Sequence, residues 1–191
     1  MSFDNWAISE EMFLHIRDIL PDNKTILEFG SGTGTYELLK HYNVISIEDN
    51  PKWLHLATRF NTNDTISRYI HAPLTDIEPI DGFEDTMWYD LNIMNEVTPT
   101  LEFDLVIIDG PCTGTHHWAA GCDIDGLIGR AGILSLIKEN PEDFKDTIFM
   151  IDDCGRDNPH EKNLAERIAS EVNGTLAFRG TDKIYAIILP E

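Results

Sequence analysis

An α/β domain built on a mostly parallel sheet is what this 191-residue sequence predicts. Three observations carry the prediction. Apolar stretches alternate in type along the chain, strand-like runs followed by helix-like ones. One strand-like run, 25–29, stops at three alternating glycines, Gly30, Gly32 and Gly34, and a helix-like stretch at 36–42 follows. Val106, Ile107 and Ile108 form the continuous apolar run of a strand buried on both faces.

The elements follow in order. Ser9 is a good N-cap for a first helix over 9–20, in which Phe13, Ile16, Ile19 and Leu20 share a face and Pro21 stops the chain. Strands are expected at 25–29, 44–48 and 66–70. Asn50-Pro51 reads as N-cap and first helical position of a helix reaching about residue 60. The acidic stretch 75–102, broken by Pro79 and Gly82, reads as loop with a short helix near 88–95. A strand at 103–109 is followed by a loop rich in Gly, Cys and His over 110–125, then a helix over 127–138 and a strand over 147–152. Asn158-Pro159-His160-Glu161 has the form of N-cap, Pro at the first helical position and capping-box Glu, opening a helix to residue 172. Two last strands, 175–178 and 184–189, are joined by Gly180-Thr181-Asp182, a hairpin signal.

Composition narrows the function. The length suits one domain with a sizeable core, and 42% hydrophobic with 25% charged residues excludes wholesale disorder. Against 14 basic residues stand 34 acidic ones, a net charge of −20. Such a chain repels phosphate backbones and anionic lipid, so neither nucleic acid nor membrane is the expected partner. The three cysteines, Cys112, Cys122 and Cys154, lack C-x-x-C spacing, which argues against a zinc site or disulfide framework. No apolar run spans a bilayer, and the first residues lack the pattern of a signal peptide, so the expected location is cytoplasmic.

The glycine loop is the main functional signal. A strand that turns through glycines into a helix lets a ligand approach bare backbone near the positive end of a helix dipole. Its spacing, G-x-G-x-G, departs from the dinucleotide fingerprint G-x-G-x-x-G because position 35 is Thr. Glu48 closes the second strand, fourteen residues beyond Gly34. A carboxylate there can accept two hydrogen bonds from ribose hydroxyls; Asp49 is its competitor, and Trp53 is placed either near a base or in the core. In an open α/β sheet ligands bind at the carboxyl ends of strands. That edge also collects Asp109, Asp152 and Asp153. Three converging carboxylates repel, and a divalent cation with a preference for oxygen ligands would relieve them. The other reading is helix capping with ion pairs to Arg130 or Arg156. His116 and His117 lie in the loop after the fourth strand, where an imidazole could take a hydroxyl proton. Arg130 and Arg156 could clamp an anionic substrate group or neutralise the aspartates.

Glu28-Phe-Gly30-Ser-Gly32-Thr-Gly34 resembles motif I of the class I S-adenosylmethionine (SAM) methyltransferases, E-x-G-x-G-x-G. Ile47-Glu48-Asp49-Asn50-Pro51-Lys52-Trp53 looks like a further motif of a subset of that family, as do Ile108-Asp109-Gly110-Pro111 and Asp152-Asp153-Cys154-Gly155-Arg156. The order of motifs covers nearly the whole chain. The resemblance implies a single-domain Rossmann-like fold, a seven-stranded mostly parallel sheet with a C-terminal antiparallel hairpin and helices on both faces. It implies an N-terminal helix in 1–24, a SAM-binding half in 25–109 and a substrate-side half in 110–191. By the same resemblance Glu28, Gly30, Ser31, Gly32, Gly34, Glu48, Asp49, Asp109 and the backbone around Ala72 would hold SAM. Asp109, Asp152 and Asp153 would bind magnesium or manganese, as in metal-dependent O-methyltransferases of the catechol and caffeoyl type. Two departures stand out: Asp153 replaces an Asn, and Cys112 stands where a lysine base is expected. The implied activity is methyl transfer to an oxygen of a small molecule or saccharide, with His116, His117 or Asp109 as catalytic groups. The alternatives are an NAD-dependent oxidoreductase on a Rossmann sheet and a non-catalytic methyltransferase-like binding subunit.

Overall fold

The computed structural model describes residues 8–53, 67–93, 102–117, 121–155 and 158–191. The helix expected to reach residue 60 is described only at 51–53, a single tight turn. Seven strands form the main sheet: β1 (Thr25–Phe29), β2 (Asn43–Glu48), β3 (Arg68–His71), β6 (Leu105–Ile108), β9 (Ile148–Ile151), β10 (Gly174–Arg179) and β11 (Tyr185–Pro190). Their spatial order is β10-β11-β9-β6-β1-β2-β3. β1, β2, β3, β6 and β9 run parallel. β11 lies antiparallel between β9 and β10, so the terminal hairpin enters the sheet as expected.

Period-2 alternation sorts the strand residues onto two cores. Ile26, Val44, Leu105, Ile107 and Met150 face α1 (Glu10–Ile19), meeting Met12, Phe13 and Ile16. Leu27, Phe29, Ile47, Val106, Ile108 and Phe149 face the other way, toward α3 (Ile133–Glu139), the short α4 (Pro141–Phe144) and α5 (Pro159–Glu171). α1 begins where Ser9 predicts, its hydroxyl accepting the Met12 N–H at 3.0 Å. α2 (Thr33–Leu38) starts three residues earlier than its apolar pattern indicates, because its first turn is made of the glycine loop itself. At α5, Pro159 does occupy the first turn, but Asn158 makes no side-chain cap. Glu161 is buried beside His160 instead of closing a capping box.

The stretches expected to be irregular form a second sheet of four strands, in the order β4-β5-β8-β7. These are β4 (Leu74–Asp76), β5 (Met87–Tyr89), β7 (Gly114–His117) and β8 (Cys122–Ile128). The expected loop at 110–125 is thus largely a hairpin. The helix expected from 127 starts only at Ile133, after β8 and a turn. Trp88 is in a strand, and helical residues begin at 91.

Glycines explain the docking of this sheet. A Cβ on Gly126 would lie 2.8 Å from Thr86 Oγ1, one on Gly129 2.0 Å from Asp85 and one on Gly132 2.3 Å from the Trp88 ring. The three glycines thus leave room for Thr86, Asp85 and Trp88 to press against the chain. Asp85 then accepts the Ala131 N–H at 2.8 Å and meets His160 Nε2 at 2.6 Å. Trp88 and Tyr89 pack at a tilt against Phe29 at the end of β1, with ring centres 5.3 and 5.7 Å away.

Candidate active site

A cleft of about 60 Å³ opens at the carboxyl ends of β1, β2 and β6, where an open α/β sheet binds its ligands. One wall is strand-end backbone and short polar side chains: Gly30, Ser31, Glu48, Asp49, Asn50, Asp109, Gly110, Pro111 and Cys112, with Trp53 beside them. The other wall comes from the second sheet, one residue per strand: Leu74, Tyr89, His116 and Ile128.

Gly30 has φ +93°, and a Cβ there would lie 2.6 Å from the Gly110 nitrogen. The two glycines let the ends of β1 and β6 touch, and the Gly110 N–H donates to the Phe29 carbonyl at 2.7 Å. Gly32 is in extended backbone and caps α2, while Gly34 is buried inside that helix. Neither is among the residues lining the cleft. Of the three glycines the sequence singles out, the structure gives only the first a place there.

Glu28 also sits behind the loop rather than in the cleft. It is 1% exposed, and its Oε2 accepts the Thr35 hydroxyl at 2.8 Å and the Ser46 hydroxyl. Thr35 Oγ1 in turn accepts the Gly32 N–H at 3.0 Å, and Ser46 meets the Ser31 hydroxyl at 2.7 Å. Glu28 therefore fixes the loop's shape. Burial pushes its carboxyl up to about 7, partly offset by those hydroxyls.

Glu48 faces the cleft. Its Oε2 accepts the Ser31 N–H at 2.7 Å and its Oε1 the Asn50 N–H at 2.8 Å. Each oxygen keeps lone-pair capacity for one more donor. Burial, with Asp49 adding repulsion, pushes this carboxyl up to about 8. A ligand bringing hydroxyl donors or positive charge would favour the ionised form. Ala72 is fully buried and donates its N–H to the Glu48 carbonyl at 3.0 Å. The backbone expected to meet an adenine is therefore committed to the sheet, and Leu74 reaches the cleft instead.

Asp109 lines the cleft, and burial with the nearby Asp152 carboxylate holds its carboxyl well above the usual range. Carboxylate oxygens of Asp109, Asp152 and Asp153 all lie within 4.8 Å of one another, the convergence the sequence predicts. Two cations share that space. Arg130, 4% exposed, donates to the carbonyls of Asp109 at 2.6 Å and Asp152 at 3.2 Å, and to Asp153 Oδ2 at 3.2 Å. Its fork is thus filled by backbone and Asp153, not open to a substrate anion. Lys183 Nζ contacts Asp152 Oδ2 and stands 3.5 Å from Asp153 Oδ1. Arg156 lies outside the described residues, as does the side chain of His117.

Two features escape the sequence reading. Tyr89 is a fully buried residue of the cleft wall whose hydroxyl has no hydrogen-bond partner among the described residues. Lys183 belongs to the turn of the last hairpin. The turn between two antiparallel strands beside β9 has to lie at the carboxyl edge, so a cation there falls next to Asp152.

No protein-family model and no curated protein matches the chain. Solved structures do. SMU.1697c of Streptococcus mutans, in complex with S-adenosylhomocysteine (SAH), superposes with a TM-score of 0.55 at 13% identity, over 96% of this chain and 99% of that one. The fold is that of the class I SAM-dependent methyltransferases. The SAH-bound Podospora anserina methyltransferase PaMTH1 gives 0.50 at 15% identity, over 98% and 81% of the two chains. Human methyltransferase-like protein 13, also with SAH, gives 0.50 at 14%, over 88% and 72%. Within the class I fold, the cleft described above lies at the carboxyl edge of the central strands.

Proposed function

We propose that this protein is a SAM-dependent methyltransferase acting on an oxygen of a small molecule or saccharide. The observation that carries the reading is Glu48, a buried carboxylate at the end of β2 that clamps the glycine loop and keeps acceptor capacity toward the cleft. The SAH-bound state of the similar structures supports the same ligand here. The chain's own residues fit it. Glu48 suits a ribose diol, and Tyr89 and His116 close the other side of the cleft.

Bound SAM would supply a methyl group already activated on a sulfonium. The work left to the protein is alignment and removal of the acceptor's proton. Glu48, with Asp49 beside it, holds the ribose end. Ser31 and Gly30 present backbone, and Asp109 faces the reacting end, with His116 on the opposite wall in place to accept the hydroxyl proton. Chain 1–191 works as one domain, with the cofactor half at 25–109 and the acceptor met mainly by the second sheet.

The acceptor reading rests on charge. Among the described residues no lysine or arginine lines the cleft, its acidic groups are Glu48, Asp49 and Asp109, and the whole chain carries −20. Both disfavour nucleic acid as the acceptor. Among the described residues no helix is long and apolar enough to cross a membrane, in keeping with work in the cytoplasm. Calorimetric titration with SAH tests the cofactor assignment. Saturable binding supports it, and a folded protein that binds NAD and not SAH would establish the oxidoreductase reading.

A further inference from the structure

The three aspartates that suit a divalent ion by spacing do not stand alone. Lys183 reaches Asp152 and Asp153 from the β10–β11 turn, and that turn is pinned to the site by the Cys154 N–H donating to the Ile184 carbonyl at 2.8 Å. Arg130 holds Asp153 and the main-chain carbonyls on either side. Asp152 is fully buried, and neither of its oxygens has a well-directed hydrogen bond among the described residues. The Lys183 ammonium is therefore its counter-charge. A buried carboxylate without one is strongly disfavoured. Three carboxylates face two built-in cations, so most of the repulsion that would draw in a divalent ion is already balanced. A metal bound to Asp152 would have to displace the ammonium.

We propose that Lys183 takes the place of a divalent cation among Asp109, Asp152 and Asp153, so that this cluster is held by the protein's own cations and the cleft works without a resident metal. The Asp153 carboxylate then has a physical role, since it is the one Arg130 and Lys183 share. Where the methyl-transfer reading holds, on which this consequence alone rests, deprotonation of the acceptor falls to a side chain such as His116 rather than to a metal-bound oxygen.

The test uses the whole protein and Mn²⁺ alone, read by calorimetry and by thermal denaturation with and without the ion. The wild type is expected to show no saturable Mn²⁺ binding up to millimolar concentration. Lys183→Met is expected to melt at lower temperature, to gain Mn²⁺ affinity by at least about tenfold, and to recover its melting temperature when Mn²⁺ is added. Lys183→Met/Asp152→Asn, which removes both charges, is expected to melt closer to the wild type than Lys183→Met does and to bind no Mn²⁺. Saturable Mn²⁺ binding by the wild type that Asp152→Asn abolishes would overturn the proposal, and that titration needs no Lys183 variant to fold. Both readouts are independent of SAH binding, so a failed metal prediction leaves the cofactor assignment untouched, and the reverse.

Discussion

The two walls of the cleft are built on different principles. The wall made by the main sheet is a consequence of topology. Parallel strands end together, so Gly30, Glu48 and Asp109 meet although they lie far apart in sequence. Its contacts are largely backbone: the Ser31 and Asn50 N–H groups on Glu48, and the Gly110 N–H on Phe29. The wall made by the second sheet depends on side chains fitting into gaps left by glycines. Its one pairing between β5 and β8 that is in register is Met87 with Ile128. Backbone hydrogen bonds from Thr86 N–H to the Leu127 carbonyl and from Gly129 N–H to the Met87 carbonyl flank that pair, and Asp85, Thr86 and Trp88 sit over Gly129, Gly126 and Gly132. A strand-end wall can serve many acceptors without change, while a side-chain wall can be rebuilt for each. Under the proposed function, the first wall would hold the cofactor and the second would meet the acceptor.

The sharpest way to break this comparison is at the crossing of β1 and β6. Gly30→Ala forces a side chain into left-handed backbone and against the Gly110 nitrogen. The expected cost is on the order of 3 kcal/mol of stability together with loss of SAH binding, checked by urea denaturation and calorimetry. A variant of wild-type stability and affinity would show that the strand ends do not need to touch.

Next in size is Glu48→Gln. It keeps the shape and removes the charge, so SAH affinity should fall by roughly ten- to a hundredfold, the worth of about 1.5–3 kcal/mol for hydrogen bonds to an ionised group. Stability near pH 8 should not fall, because the buried charge is itself unfavourable there. Binding by the wild type should also tighten as pH rises toward 8, and the variant should lose that slope.

On the other wall, Gly132→Ala drives a methyl into the Trp88 ring. Overpacking of this kind costs about 1–3 kcal/mol. The split is the informative part: KM for the acceptor should rise while SAH affinity stays within about twofold. Equal loss of both would mean that the walls do not divide the work.

The smallest effect concerns the joint between the second sheet and α5. The hydrogen bond to Asp85, with the Glu161 carboxylate 3.7 Å from the other ring nitrogen, raises the His160 imidazole to about 9. A raised folded-state value means that the contribution is whole below the unfolded value near 6.5 and is lost as pH rises through about 9. Glu28 and Glu48, raised to about 7 and about 8, act in the same direction from lower pH. Stability should therefore decline from pH 6.5 to 9, and His160→Gln should flatten part of that decline, by about 1–2 kcal/mol given the part-exposed ring. Thermal denaturation across that range reads it.

The same division explains what the amino-acid sequence discloses. β1, β2, β6 and the terminal hairpin are legible because buried parallel strands are continuous apolar runs and turns need glycine. Glu48 and Asp109 are legible because topology alone brings strand ends together. The second sheet is not, since β4 and β5 are three residues each and sit among acidic residues that read as loop. Their strand pairing comes from the docking of Trp88, not from local pattern. Gly126, Gly129 and Gly132 carry the signal, as a regular series whose partners Thr86, Asp85 and Trp88 lie 40 to 44 residues earlier in the chain. Lys183 was legible in principle, because an antiparallel hairpin next to β9 must put its turn beside Asp152. Glu28 and Ala72 differ in that both sit at the expected positions, but each has a hydrogen-bond partner inside the protein.

The most direct test of the account is calorimetric titration of SAH into the wild type and Glu48→Gln, with the fold of both verified by thermal denaturation. Micromolar binding to the wild type, weakened at least tenfold in the variant, is the predicted result. A well-folded wild type that binds no SAH, or one whose affinity Glu48→Gln leaves unchanged, would contradict it.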